Sequence, residues 1–202
     1  MSYSINSLVN NGISQTAYLL DLFMLGIFIS NSLILASYKT ATIIPYALTF
    51  IPASIMIFMY PYIAQKQDDK KWILMVYKRM LFYLTIFNVF LVGLSEILAP
   101  YIIKIIFGSD YMNAVPYFRV LMLGYLFDGI FRTTSGGILA MIKKIKPLIL
   151  INTIGGLINI TLDYILIKRL GMLGAALTSL IVLSFTAFLY TVVLVRYLRR
   201  HN

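Results

Sequence analysis

The sequence predicts an all-α, polytopic membrane protein, and three observations carry that expectation. Apolar residues make up 60% of the 202 residues and charged residues only 12%, against about 45–50% and about 25% in soluble domains. Mean hydropathy is +0.88. The apolar residues gather into runs of about 20, the length that spans the hydrocarbon core as a helix, and not into the shorter alternating segments of a membrane barrel. The bilayer core offers the backbone no hydrogen bonds, so helices are the spanning element. At roughly 20 residues per span plus short loops, the chain holds about six transmembrane helices.

The first span is expected from about Val9 to Ile29 and the second from about Thr40 to Ala64. The second contains Pro45, Pro52 and Pro61. Each proline removes a backbone donor, so this helix is expected to be bent. A charged loop from Gln65 to Lys71 follows. The third span runs from about Met80 to Leu98 and is expected to end at Pro100. A short amphipathic piece, Tyr101 to Phe107, leads into Gly108-Ser109-Asp110, a turn signal. The fourth span covers about Ala114 to Ile142, the fifth Leu148 to Ile167 and the sixth Leu173 to Val195. Residues 1–202 show no linker, low-complexity tract or repeat and are read as a single membrane domain.

The net charge is +10. Its lysines and arginines sit in short loops, a pattern of cytoplasmic flanks and not of a nucleic-acid surface. Lys66, Lys70, Lys71, Lys78 and Arg79 flank one loop, Lys143, Lys144 and Lys146 another, and Arg196, Arg199 and Arg200 the C-terminal tail. Fewer, namely Lys39, Lys104, Lys168 and Arg169, fall on the opposite side. The positive-inside rule then puts both termini in the cytoplasm, as an even number of spans also requires. The N-terminus lacks a basic segment followed by a short apolar core and a cleavage site, so no signal peptide is expected.

Enzyme chemistry lacks its parts. There is no cysteine, and the one histidine, His201, is next to last. Disulfides, thiolate metal sites and intramembrane Ser–His catalysis are therefore not expected. Asp68-Asp69 is the one adjacent acidic pair and has no second acidic motif to face it. Ser135-Gly136-Gly137 has no intramembrane histidine, and there is no P-loop. No cofactor and no enzymatic activity are expected; a carrier driven by a gradient, or by substrate turnover elsewhere, remains.

Ionisable groups at membrane depth cost roughly 2.5–3.5 kcal/mol each on insertion scales and mark cavities or partners. Asp21 lies in the first span on a polar stripe with Ser7, Asn10 or Asn11, Ser14 and Tyr18. The stripe suits either a cavity wall or hydrogen bonding between helices. Asp128 and Arg132, four apart, can pair on one helix face. That pair reads either as structural or as an anion site in which the planar guanidinium holds a phosphate. Arg119 reads as an interfacial, snorkelling residue. Asn152, Gly156, Asn159 and Asp163 recur on the fifth span, as helix packing or as a polar wall, with Asp163 near its wet outer end. Gly171, Gly174, Ala175 and Thr178 read as a packing face.

Several segments carry a family resemblance. Ile51-Pro52-Ala53-Ser54 through Tyr60-Pro61-Tyr62-Ile63-Ala64 resembles a proline-punctuated helix of bacterial polysaccharide flippases. Ala99-Pro100-Tyr101-Ile102-Ile103, then Ile106-Phe107-Gly108-Ser109-Asp110-Tyr111 and Ala114-Val115-Pro116, is similar to a loop of the same family. Leu20-Asp21 to Leu25-Gly26, with Tyr38 and Ala41, resembles the opening of its second half. Asn159, Leu166-Ile167, Gly171 and Gly174-Ala175-Ala176 resemble its closing segment.

The resemblance, from about residue 15 onward, is to the oligosaccharide-lipid flippases of the multidrug/oligosaccharidyl-lipid/polysaccharide exporter superfamily. It implies one six-helix lobe, the C-terminal one, of a two-lobe fold around a central, often cationic cavity. It also implies movement of undecaprenyl-pyrophosphate-linked oligosaccharide across the bacterial plasma membrane for surface polysaccharides such as O-antigen. The implied partners are the bilayer, the lipid-linked oligosaccharide, and an N-terminal lobe or a second copy of the chain. Asp21, Asp128, Arg132 and Asn159 are the candidate cavity residues, Asp21 as a group that changes protonation during transport. The alternatives are an inactive fragment of a disrupted flippase gene, a drug or cation exporter of the same superfamily, and a scaffold in a polysaccharide assembly complex.

Overall fold

The computed structural model describes residues 21–29 and 31–199. All regular structure there is helical. Residues 21–28 form α1, the described end of the first predicted span; the polar stripe from Ser7 to Tyr18 lies outside the described residues.

Helix α2 (Ser32–Leu48) starts earlier than the sequence suggests. The Asn31 side chain accepts hydrogen bonds from the Leu33 and Ile34 amides and caps the helix, satisfying N–H groups that would otherwise be orphaned. Helix α3 (Phe50–Gln65) follows after a break at Thr49. Pro52 has no N–H with which to continue the ladder, and the Thr49 hydroxyl turns back to the Tyr46 carbonyl at 2.6 Å. The proline-rich span is thus two helical pieces, as its prolines require.

Helix α4 (Lys70–Phe107) is capped by Asp69, whose side chain accepts from the Trp72 amide. Pro100 lies inside it. The expected stop at Pro100 and the separate amphipathic piece are therefore corrected to one continuous helix of 38 residues. At 1.5 Å per residue it is about 57 Å long, well beyond the bilayer core. It ends at Gly108, whose φ of 97° suits glycine's freedom in the left-handed region.

A 3₁₀ turn, Ser109–Ala114, leads into α5 (Val115–Phe127), a π-helical turn Asp128–Arg132, and α6 (Thr133–Met141). These three form the interrupted fourth span. Helices α7 (Ile145–Leu170) and α8 (Met172–Arg199) complete the fold and are its most extensively packed pair. Gly171 joins them with φ 60° and donates its N–H to the Ile167 carbonyl at 2.9 Å. Among the described residues five helical spans are long and apolar enough to cross a membrane.

Two apolar cores hold the bundle. One gathers Leu25, Tyr38, Ala41, Phe118, Met122 and Ala175. The other gathers Met56, Ile63, Ile73, Tyr77, Ile138 and Leu194. Many large apolar side chains face outward, such as Phe50, Phe90, Ile97 and Ile105. A soluble monomer rarely leaves so much apolar surface bare; in a bilayer it meets lipid.

Candidate functional site

Between α1, α2, α5, α7 and α8 lies a cavity of about 550 Å³, within the usual range for ligand pockets. Asp21, Asp128, Arg132 and Asn159, the residues singled out in the sequence, all border it. Its polar wall is built in two parts.

The first part centres on Asp21. Its Oδ1 accepts from the Asn159 amide at 3.0 Å, and its Oδ2 accepts from the Tyr38 hydroxyl at 3.2 Å and from the Ser179 hydroxyl. Helices α2, α7 and α8 thus each send one donor to a single carboxylate. Asp163, one turn beyond Asn159, stands on the same side. The sequence reading placed it near the wet outer end, and the structure corrects this: Asp163 is fully buried. Neither of its carboxylate oxygens makes a hydrogen bond of normal geometry, and Asp21 and Thr178 are its polar neighbours. The cause is the tight α7–α8 crossing, which closes over Asp163 because Gly174 lets the backbones meet. A Cβ at Gly174 would lie 2.2 Å from the Leu166 carbonyl oxygen.

The second part centres on the π turn. Widening by one residue closes the Thr133 amide onto the Asp128 carbonyl, and π turns of this kind recur at functional sites. Arg132 donates from Nη1 to Asp128 Oδ1 at 2.8 Å and from Nη2 to Asn152 Oδ1 at 3.3 Å. The Thr133 hydroxyl donates to the other Asp128 oxygen at 3.1 Å. Tyr190 donates to Asn152 Oδ1 at 2.7 Å. The guanidinium is 15% exposed, so the open anion binder considered from the sequence is here a group enclosed by its own network. Arg119 lies apart from the cavity, 46% exposed and 3.7 Å from Glu96.

Sequence reasoning missed Tyr38, Ser179 and Tyr190 as site residues. Tyr38 and Ser179 carry no local signal beyond a hydroxyl in an apolar run; only the packing brings them to Asp21. Lys39 was placed outside the second span. It stands inside α2, exposed to the cavity that it lines.

The helical bundle, apolar on its outside and holding a cavity with a few polar groups, has the fold of a multi-pass membrane protein. Two solved structures share that fold over 97% of this chain with TM-scores of 0.78. One is a multidrug resistance MATE family transporter of the MOP superfamily in an outward-facing conformation, at 21% identity. The other is a MOP superfamily transporter from Pyrococcus furiosus, described as having a binding pocket of reverse polarity that suggests a different function, at 20% identity. The chain spans 43% of the length of each. No curated protein matches the sequence. Residues 1–116 match the family described as polysaccharide biosynthesis protein, and the chain belongs to that family.

Proposed function

We propose that this chain is one lobe of a carrier that moves undecaprenyl-pyrophosphate-linked oligosaccharide from the cytoplasmic to the outer leaflet of the bacterial plasma membrane. The lobe is the C-terminal one, with both termini cytoplasmic, and an N-terminal lobe or a second copy of the chain completes the passage. The observation that carries the reading is the cavity of about 550 Å³ with Asp21, Asp128, Arg132 and Asn159 on its wall, in a member of the polysaccharide biosynthesis family. Ionisable groups at membrane depth are costly and persist where they serve a passage.

Energy coupling falls to the Asp21–Asp163 pair. Two carboxyl groups face one another in a buried site, and neither forms an ion pair with a lysine or arginine among the described residues. Like charges so placed are relieved by a proton or a monovalent cation, taken up in one conformation and released in the other. The test is translocation of a fluorescent lipid-linked oligosaccharide in proteoliposomes, with and without an imposed proton or sodium gradient. Gradient-dependent translocation supports the reading; translocation indifferent to both gradients counts against the coupling.

A drug or cation exporter is the second reading. It is favoured by the largely apolar and aromatic remainder of the wall, including Tyr46, Leu121, Tyr125 and Leu183. Drug extrusion that is insensitive to the supply of lipid-linked sugar would favour it over the flippase.

A further inference from the structure

Away from the cavity, three helices bring two cations onto one aromatic ring. The Lys70 ammonium lies 4.7 Å and the Lys144 ammonium 4.8 Å from the centre of the Tyr197 ring. Lys70 opens α4, Lys144 caps the start of α7, and Tyr197 stands near the end of α8. The two ammonium groups are therefore no farther apart than the sum of those distances. Beside them, Lys66 lies 4.7 Å from the ring centre of Trp72, two residues past Lys70.

No carboxylate answers this charge. The ion pairs among the described residues are Arg119–Glu96 and Arg132–Asp128, so neither Lys70 nor Lys144 belongs to one. Asp69, the chain neighbour of Lys70, gives its side chain to the Trp72 amide at 2.9 Å. Lys71 and Lys146 add cations to the first turns of α4 and α7, where the helix dipole already carries partial positive charge. An aromatic face balances an exposed ammonium only weakly.

The cluster is also held in place and stands at a particular level. The Lys143 amide donates to the Ala140 carbonyl at 3.0 Å and the Lys144 amide to the Leu139 carbonyl at 2.8 Å. This is a helix ending of the Schellman type, with Lys143 in the left-handed region at φ 61°. The apolar runs of α7 and α8 begin at Leu148 and end at Val195, four residues from Lys144 and two from Tyr197. Lys144 and Tyr197 thus mark the point where the spans leave the hydrocarbon core, the level that interfacial aromatic residues favour. Basic clusters between spans at that level bind anionic headgroups.

We infer that Lys70 and Lys144, gathered on Tyr197, form a site for the phosphate headgroup of an anionic phospholipid. A phosphodiester brings a negative charge to two ammonium groups that lack one, while its acyl chains continue into the bilayer. The site lies apart from the cavity, whose lining includes none of these residues, so its occupancy is independent of the cargo.

Trp72 is the one tryptophan of the chain and serves as the reporter. The full chain is placed in phosphatidylcholine nanodiscs with increasing fractions of dibrominated phosphatidylglycerol or dibrominated phosphatidylcholine, whose bromines quench indole fluorescence on contact. Wild type is expected to be half-quenched at an about tenfold lower fraction of the phosphatidylglycerol, as two lysine–headgroup contacts would give. Added salt should reduce the preference. Lys70→Gln with Lys144→Gln is expected to lose most of it, and Lys70→Arg with Lys144→Arg to keep it. Lys104→Gln, in the last turn of α4, should leave it unchanged. Thermal melts confirm that the variants are folded.

Undiminished preference in the folded double glutamine variant overturns the site. So does a wild type quenched equally by the two lipids, a result that needs no variant. Soluble glycerol phosphate should not relieve the quenching; relief would mean a site for free phosphates and would overturn the assignment to lipid.

Discussion

Asn159 on α7 donates a 3.0 Å hydrogen bond to Asp21 on α1, joining residues 138 positions apart in the chain. Tyr38 and Ser179 complete the shell, so four helices meet at one carboxylate. Under the coupling role proposed for Asp21, a change of its charge would act on all four helices together.

Asp21→Asn should leave the lobe folded, because an amide still offers an oxygen to Asn159, while transport falls at least about tenfold, as expected when a coupling charge is lost. Asp163→Asn should show the same loss. Translocation measured under imposed proton and sodium gradients checks both, and undiminished gradient-driven transport in the two variants would remove the pair from the coupling step.

Arg132→Ala leaves Asp128, 2% exposed, as a buried charge without its guanidinium. Breaking such a pair costs about 3–5 kcal/mol. Arg132→Ala with Asp128→Ala should recover part of that loss, since the orphaned charge goes too. Arg119→Ala removes an exposed partner of Glu96 and should cost no more than about 1 kcal/mol. Melting curves of the four proteins in nanodiscs separate these outcomes, and export should fall further in Arg132→Ala than in Arg119→Ala. Equal tolerance of both changes would remove Arg132 from the site.

Gly174→Ala forces a methyl group against the Leu166 backbone at 2.2 Å, and the α7–α8 crossing must open. The expected cost is about 1–3 kcal/mol or more, as for overpacked cores. Gly156→Ala meets nothing within 4 Å and should keep the wild-type melting temperature. A thermal melt of each decides the matter; equal behaviour would mean that α8 slides freely along α7.

Much of the fold was legible because spans of apolar residues are legible. The second to sixth runs each fall on described helices, and the prolines of the second predict a bend, which the structure shows as a break at Thr49. Pro100 misled because a helix tolerates a proline whose missing hydrogen bond leaves only one carbonyl unpaired, and the apolar run on both sides holds the helix together. The Asn31 cap starts α2 at Ser32 and so brings Lys39 inside it, although hydropathy alone begins the apolar run only at Thr40. Among the candidate residues, the Asp128–Arg132 pairing follows from helical spacing alone. The burial of Asp163 does not, because it depends on how closely Gly174 lets α8 approach α7. Tyr38 and Ser179 meet Asp21 through packing of helices remote in sequence, which no local pattern encodes.

The proposed cargo of the cavity is a lipid-linked oligosaccharide. The most direct measurement is translocation of that substrate in proteoliposomes holding this chain with its completing lobe or as two copies. Substrate is expected to reach the outer leaflet in wild-type vesicles, and at least about tenfold less of it with Asp21→Asn, for the loss of a single membrane-depth charge. Translocation equal in wild-type, Asp21→Asn and protein-free vesicles would contradict it.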